Sequence, residues 1–334
     1  MSSWQKLEDV KKFEIELSSH CNARCPVCIR QITGTDKERP DFHKGHITVE
    51  QIKKLVEQLP EPKKVIFYFG GVGGDPMMNP DIVQIFKYCV ERVKGVYMDT
   101  NGSLRAKAVW HELGEISKAN ENSSITFSID GMEDTNHIYR IRTSWKKIMD
   151  NAKTFISAGG IAEWKYIVFK HNEHQVEKAE QLAKQMGFEK FIKEPSVRHY
   201  KKGDNLLVEL DGIGDLVPEP ATISKTEKIR HNASIGAVKI DCKVLKKKMM
   251  YITHDFKLLP CCYVHSWQIV DKKTKYFKDF KNNLDDVSLE DAMNDKFFDS
   301  KLMNSWKDCG PTACAFNCNQ KQYWNKESKV EELQ

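Results

Sequence analysis

The spacing of apolar residues along the first two-thirds of the chain predicts strands and helices in alternation. Short apolar runs, or strict alternation of apolar and polar residues, predict six strands at 13–18, 65–69, 96–99, 125–130, 164–170 and 188–192. Apolar residues at helical spacing predict helices between them. Six such β/α units predict an α/β fold with a parallel sheet, curled into a partial barrel whose ligand sites lie at the carboxyl ends of the strands.

Local signals refine these elements. Thr48 and Gln51 form a capping-box pattern ahead of an apolar helical face. Asn79, followed by proline, is typical of a helix start. Cys89 falls on an apolar helical face and is therefore predicted to be a core residue rather than a ligand. The loop at 31–46 is long, polar and punctuated by glycine and proline, which is typical of a functional lid.

Composition limits the class of protein. The chain has 334 residues, 40% of them hydrophobic, which is enough for one large domain and one small one. The pattern weakens between 212 and 237, so we predict domains at 1–215 and 216–334. A net charge of +5 does not indicate nucleic-acid binding. There is no apolar run long enough for a membrane span and no signal region, so we expect a cytoplasmic, reducing location, where ten cysteines indicate metal rather than disulfides.

Three cysteines follow the first predicted strand directly. Cys21, Cys25 and Cys28 have the spacing C-x3-C-x2-C. A 4Fe–4S cluster held by only three thiolates leaves one iron open to a substrate or cofactor. A zinc site completed by a nearby histidine is the alternative. The histidines within reach along the chain are His20, His43 and His46.

Glycine and polar residues follow the next three strands. The second strand ends in a glycine-rich loop at 70–76, whose backbone can approach a ligand closely. Asn101 and Gly102 follow the third strand, where a simple turn and a ligand contact are equally compatible with the sequence. In the fourth strand, Ser128 and Asp130 alternate with apolar residues and are predicted to face the barrel interior, where a bound ligand can satisfy polar groups.

The last third of the chain carries six of the ten cysteines. Cys242 precedes a predicted β-hairpin, which Cys261 and Cys262 follow. A helix is predicted to start at Ser288. Three more cysteines close the set: Cys309, Cys314 and Cys318. Four thiolates suit either an iron–sulfur cluster or zinc, and the sequence leaves both metals open.

Taken in order, these motifs resemble the radical S-adenosylmethionine (SAM) superfamily and, in the last third, its SPASM/twitch subgroup with auxiliary clusters. The cysteine triplet, Gly-Gly-Asp-Pro, Ser-x-Asp-Gly followed by Arg140, and the C-terminal cysteines are jointly specific over roughly 13–318. Two departures are visible. Val27 stands where many members have an aromatic residue, and Asp75 stands where they have glutamate.

The resemblance implies two cofactors in the barrel, a 4Fe–4S cluster on the cysteine triplet and SAM chelated by its open iron. The residues implied to contact SAM are Gly73, Gly74, Asp75, Asn101, Ser128, Asp130 and Arg140. A structural salt bridge is the alternative role for Arg140. Lys165, Ile167 and Phe169 share a face of the fifth strand and line either the adenine region or the core.

The resemblance also implies a small α+β, twitch/SPASM-like iron–sulfur domain after a partial (β/α)6 barrel. Its auxiliary 4Fe–4S cluster would take ligands from Cys242, Cys261, Cys314 and Cys318, with Cys309 as the alternative and Cys262 as a bystander. Such a cluster either accepts an electron from a substrate radical or braces the domain. Zinc is the alternative occupant.

The implied function is reductive cleavage of SAM to a 5'-deoxyadenosyl radical, which abstracts a hydrogen atom from a peptide or a small polar, sugar-like substrate. An electron donor such as flavodoxin or ferredoxin is the expected partner. No leader-binding domain is expected ahead of a barrel that begins by Phe13. Candidates for an acid or base are Asp241, Asp255, His254 and His265. The alternatives are a zinc-binding interaction module and a non-catalytic iron–sulfur electron carrier.

Overall fold

The computed structural model describes residues 4–195, 239–270, 277, 279–308, 313–314, 318 and 329–332. Within them, nine strands form one mixed sheet. Their bounds are β1 Lys12–Ile15, β2 Ile66–Phe69, β3 Gly95–Thr100, β4 Ser124–Ser128, β5 Ile161–Val168, β6 Lys190–Pro195, β7 Met249–Ile252, β8 Leu258–Leu259 and β9 Lys329–Glu332. Their order across the sheet is β8-β7-β1-β2-β3-β4-β5-β6-β9.

The first six strands are parallel and lie side by side in chain order, which confirms the predicted α/β partial barrel. The α-helices are α1 Val49–Glu57, α2 Ile82–Arg92, α3 Lys107–Ser117, α4 Asn136–Tyr139, α5 Trp145–Ser157, α6 Val176–Met186, α7 Lys243–Lys247, α8 Cys262–Val270 and α9 Leu289–Met293. Short 3-10 helices lie at Leu7–Asp9, Pro62–Lys64, Pro76–Met78, Glu173–Gln175 and Trp306–Asp308, and Phe297–Met303 is π-helical.

Alternation along β4 separates the core from the barrel interior, as predicted. Phe127 is fully buried against the helices, with its ring centroid 5.1 Å from that of Trp110 on α3 and 6.2 Å from that of Phe155 on α5. The next residue, Ser128, lines the cavity inside the barrel. Successive side chains of a strand point to opposite faces, so one short sequence pattern serves both surfaces.

Two predicted helix starts differ in outcome. The capping box is confirmed: the amide of Gln51 donates to Thr48 Oγ1 at 3.1 Å, and the amide of Thr48 donates to Gln51 Oε1 at 3.0 Å. However, α2 begins at Ile82 rather than directly after Asn79. Asn79 Oδ1 accepts a hydrogen bond from the amide of Asp81 at 2.9 Å, and Asn79 Nδ2 donates to two backbone carbonyl oxygens of neighbouring segments. Cys89 on α2 is fully buried in the core, as predicted.

The predicted hairpin of the last third is β7–β8, and it extends the barrel sheet. β7 runs parallel to β1, with Ile252 opposite Ile15. β8 pairs with β7 in the antiparallel direction. The predicted junction at 212–237 and Cys309 lie outside the described residues, so the domain boundary stays a prediction. Among the helices of the described segments, none is both long and apolar enough to cross a membrane.

Candidate functional site

A cavity of about 290 Å³ opens at the carboxyl ends of the six parallel strands. It is lined by Glu14, Cys21, Ala23, Cys25, Cys28, Tyr68, residues 70–75, Asp99, Thr100, Asn101, Ser128, Tyr139, Arg140, Ile167, Glu194 and Pro195. The structure thus brings the three N-terminal cysteines together with every predicted SAM-contacting residue except Asp130, which lies behind Arg140.

N–H groups point at the sulfur atoms of two of these cysteines. The amide nitrogen of Ala23 lies 3.3 Å from Cys21 Sγ, and Asn101 Nδ2 lies 3.7 Å from the same atom. Arg140 Nη1 lies 3.9 Å from Cys25 Sγ. Such donors stabilise thiolate ligands and tune the potential of an iron–sulfur cluster. The three cysteines and their surroundings therefore fit a thiolate-held cluster.

Burial keeps the thiols of Cys21 and Cys25 protonated when no metal is bound. It raises the pKa of Cys25 to about 11, although the charge of Arg140 opposes the shift. Burial also raises the pKa of Cys21, to a still greater extent. A metal centre must displace these protons when it binds.

A buried arginine fixes the shape of the turn that carries the cysteines. Arg30 donates hydrogen bonds to the carbonyl oxygen of Cys21, at 2.8 Å, and to that of Ala23. Glu38 pairs with Arg30 and with Arg24, both at 3.3 Å. The long loop after the turn therefore folds back over it, while its role as a lid stays a prediction.

The glycine loop after β2 approaches neighbouring atoms too closely for side chains. A Cβ atom on Gly74 would lie 1.6 Å from the carbonyl oxygen of Ser18, and one on Gly73 would lie 2.4 Å from Phe42 Cζ. Glycine at these two positions lets the main chain of the loop line the cavity beside the cysteine turn.

The carboxylate of Asp75 joins the loops that follow β2 and β3. It accepts hydrogen bonds from the amide of Asn101 at 2.8 Å, from Asn101 Nδ2 at 2.6 Å and from Thr100 Oγ1 at 2.9 Å. Burial raises the pKa of Asp75, and these hydrogen bonds oppose the shift. Asp75 therefore orients Asn101 towards the cysteines, while a SAM contact of its own stays a prediction.

Arg140 forms a structural salt bridge, the alternative role predicted for it, and it also lines the cavity. Its Nε donates to Asp130 Oδ2 at 2.6 Å, and Asp130 is fully buried. The other oxygen of Asp130 accepts from the amide of Ile167 at 2.7 Å. Ile167 lines the cavity, whereas Phe169 packs behind the cysteines, with its ring 4.6 Å from that of Tyr139.

Several polar residues of the cavity were not predicted from the sequence, among them Glu14, Tyr68, Asp99 and Glu194. Asp99 pairs with Lys165. Burial raises the pKa of Glu14 to about 7, and a hydrogen bond with Cys262 opposes the shift. The alternation of Glu14 with apolar neighbours on β1 is the signal that would have found it, because the same pattern identified Ser128.

The histidines proposed to complete a zinc site lie elsewhere. Within the described part of the chain, no histidine lines the cavity. The rings of His20 and His46 stack on each other, with centroids 4.6 Å apart. His43 Nδ1 lies 3.0 Å from His254 Nε2. This arrangement disfavours a histidine-completed zinc site on the cysteine turn.

Four of the C-terminal cysteines also lie together. The thiols of Cys242 and Cys318 are hydrogen-bonded to each other. Cys261 interacts electrostatically with both Cys314 and Cys318. The amide of Cys318 donates to the carbonyl oxygen of Cys314 at 2.8 Å. The four predicted auxiliary ligands are therefore neighbours, and Cys309 lies outside the described residues.

The remaining predicted residues do not line the cavity. Cys262 is hydrogen-bonded to Glu14. None of the four acid/base candidates, Asp241, Asp255, His254 and His265, is among the residues lining the cavity. The two aspartates form ion pairs with neighbouring lysines, and the two histidines meet at Glu16.

Fold and cavity together define an α/β partial barrel with a three-cysteine turn at the carboxyl end of its first strand. The family model of the radical SAM superfamily matches residues 15–186, just over half of the chain. The chain belongs to this superfamily. Its members are enzymes of SAM-dependent radical chemistry, and membership implies a 4Fe–4S cluster and SAM as cofactors.

A curated relative shows how far the sequence similarity extends. The mycofactocin maturase of Mycobacterium ulcerans (strain Agy99) is 25% identical over 175 residues, which cover 52% of this chain and 44% of the relative. The chain spans less than half the length of the curated relatives it matches.

Two solved structures share the fold over most of the chain. Streptococcus suis SuiB bound to precursor peptide SuiA aligns with a TM-score of 0.56 and 14% identity, covering 87% of this chain and 66% of that one. Native anSMEcpe with bound AdoMet aligns with a TM-score of 0.55 and 16% identity, covering 96% and 93%. The likeness extends past the barrel into the last third, in agreement with the SPASM/twitch resemblance.

Proposed function

We propose that this chain abstracts a hydrogen atom from a peptide or a small polar, sugar-like substrate, with an auxiliary 4Fe–4S cluster assisting the oxidation or modification. The observation that carries the proposal is the convergence of three thiols, the glycine loop and Arg140 on one cavity. When bound by Cys21, Cys25 and Cys28, a 4Fe–4S cluster supplies the electron that splits SAM and releases a 5'-deoxyadenosyl radical.

The chain's own residues prepare this site. Gly73 and Gly74 present backbone groups to the cavity with no side chain in the way. Ser128 contributes a hydroxyl group. The salt bridge with Asp130 fixes the guanidinium of Arg140 at the wall of the cavity, where its charge suits a carboxylate such as that of SAM.

The substrate class is supported by likeness alone. A maturase is among the curated relatives, and one structural neighbour is bound to a precursor peptide. Both favour a peptide, while the small polar substrate stays as the second possibility within the same chemistry. Flavodoxin or ferredoxin is the proposed electron donor.

The C-terminal cysteines support the auxiliary cluster. Thiols of Cys242, Cys261, Cys314 and Cys318 interact with one another, and four thiolates close a cluster without an open iron. Such a cluster passes electrons or braces the fold, so it does not itself bind the substrate.

The triple variant Cys21→Ala/Cys25→Ala/Cys28→Ala tests the assignment. It is expected to lose about four irons per chain and all SAM cleavage, while the auxiliary cluster stays. The matched control is Cys89→Ala. Because Cys89 is buried in the core, its replacement is expected to leave the iron content unchanged. Iron analysis and detection of 5'-deoxyadenosine after reduction are the measurements. Continued 5'-deoxyadenosine production by the triple variant would refute the assignment.

A further inference from the structure

We propose that Glu16, His254 and His265 form a binding site for a divalent transition-metal ion, distinct from both cysteine groups. Glu16 follows β1, His254 follows β7 and His265 lies on α8. Because β7 runs parallel to β1, with Ile252 opposite Ile15, the residues that follow the two strands meet at the same edge of the sheet. All three side chains are buried.

The distances between the three side chains fit a single ion. His254 Nδ1 lies 3.0 Å from Glu16 Oε2, and His265 Nε2 lies 3.3 Å from the same oxygen. One ligand atom from each of the three lies within 4.8 Å of the others. A tetrahedral zinc ion with bonds of about 2.0 Å separates its ligands by about 3.3 Å. Two histidines and a carboxylate are also a common ligand set for zinc and for ferrous iron.

The second histidine turns one ring nitrogen towards Glu16. His265 Nε2 is buried and pairs with Glu16 Oε2 at 3.3 Å. The other ring nitrogen, Nδ1, faces Gln268 Oε1 at 3.5 Å. With a proton on Nδ1, the lone pair on Nε2 is free to bind a metal ion. The ion then takes the place of the proton between His265 and Glu16.

The other two side chains have the outer hydrogen bonds that orient metal ligands. Glu16 Oε1 accepts from the amides of Val72 at 3.1 Å and Gly73 at 3.0 Å. His254 Nε2 lies 3.0 Å from His43 Nδ1, a contact that orients the ring, while His254 Nδ1 faces Glu16 Oε2 at 3.0 Å. Such outer partners typically tune metal affinity by about 10- to 100-fold.

An ion at this position bonds the first barrel strand to the C-terminal hairpin and helix. Because Glu16 also holds the amide of Gly73, the ion is expected to position the glycine loop rather than to take part in catalysis. No cysteine contributes to the site, so a wrong cluster assignment would not affect the proposed metal site.

The test uses full-length protein reconstituted anaerobically with iron and sulfide, so that the cysteines are occupied. Wild type, His254→Gln/His265→Gln and the control His111→Gln/His174→Gln are dialysed to equilibrium against Zn²⁺, and bound zinc is measured. The control removes two exposed imidazoles. Wild type and control are expected to bind one more zinc per chain than the double variant. Zinc held elsewhere is common to all three proteins and cancels in the difference.

A second variant guards against misfolding. His265→Asn removes Nε2 but keeps an N–H donor near Gln268, and we expect it to bind zinc at least about tenfold more weakly with an unchanged circular dichroism spectrum. If the double variant fails to fold, the zinc binding of His265→Asn tests the proposal instead. Equal zinc binding by wild type and His265→Asn, or an equal loss in the His111/His174 control, would overturn the proposal.

Discussion

The two cysteine groups of this chain lie in different surroundings. Cys21, Cys25 and Cys28 line an open cavity of about 290 Å³, and N–H groups of Asn101 and Arg140 point at their sulfur atoms. The C-terminal group, by contrast, brings four described thiols together, and none of them lines that cavity. The two groups therefore differ in the number of thiols and in the space beside them.

This difference indicates separate tasks. Three thiols beside a polar cavity suit a centre that keeps one position for a ligand, whereas four thiols close the centre. We therefore propose that the first group serves SAM chemistry. For the second group we propose electron transfer or support of the C-terminal region, since small domains often need a metal to stabilise them.

Replacing Cys242 or Cys318 by alanine gives the largest expected effect on the second group. Either change is expected to remove about four irons per chain and to abolish turnover of the true substrate, while some SAM cleavage persists because the barrel keeps its own cysteines. We also expect faster hydrogen exchange in the C-terminal third. Iron analysis, 5'-deoxyadenosine assay and exchange mass spectrometry measure these effects. Full turnover without the auxiliary irons would show that the second group has neither role.

Gly74→Ala tests the first group without removing a cysteine. Its Cβ atom would overlap the carbonyl oxygen of Ser18, so the glycine loop must move away from the cavity. We expect SAM affinity to fall at least about 100-fold, or about 2.7 kcal/mol, with the auxiliary irons retained. Equilibrium binding of SAM measures the change. Unaltered affinity in a folded variant would remove the glycine loop from the SAM site.

Glu14 lines the cavity and is hydrogen-bonded to Cys262, the residue that directly follows Cys261 of the second group. Burial raises its pKa from 4.5 to about 7 in the folded protein. The folded state therefore favours the protonated form. The contribution of Glu14 to the free energy of unfolding is therefore fully present below its pKa in the unfolded chain. It is lost as the pH rises through its pKa in the folded protein.

Glu14→Gln removes this dependence because glutamine stays neutral. Relative to wild type, the variant is expected to gain at most about 2 kcal/mol in the free energy of unfolding between about pH 5.5 and about pH 8, and less if solvent screens the side chain. Urea unfolding of SAM-free protein at the two pH values measures the gain. The same difference at both values would mean that Glu14 is ionised throughout.

Ser128→Ala has the smallest expected effect. A lost hydrogen bond to SAM costs about 0.5–1.5 kcal/mol, or about 2- to 12-fold in affinity, with little change in the melting temperature of SAM-free protein. Ser124→Ala on the same strand is the matched control, because Ser124 does not line the cavity. A large loss of stability with unchanged SAM affinity would assign Ser128 a structural role instead.

Local patterns predicted much of this molecule. The capping box at Thr48, the alternation of Phe127 and Ser128, and the cysteine spacing were all readable in the sequence. Each depends on residues within a few positions of one another, where helix or strand geometry dictates which side chains meet. The order of β/α units likewise predicted which strand ends share one edge, so the cavity followed from the strand pattern.

Contacts between distant residues were decided only by the tertiary structure. Asn79 looks like a helix start, yet its amide binds carbonyl oxygens of two other segments. Asp75 bonds to Asn101 rather than standing free. Glu16 meets His254, 238 positions away, because β7 pairs with β1. Strand pairing across such a separation depends on packing of the whole sheet, which no local pattern of apolar and polar residues encodes.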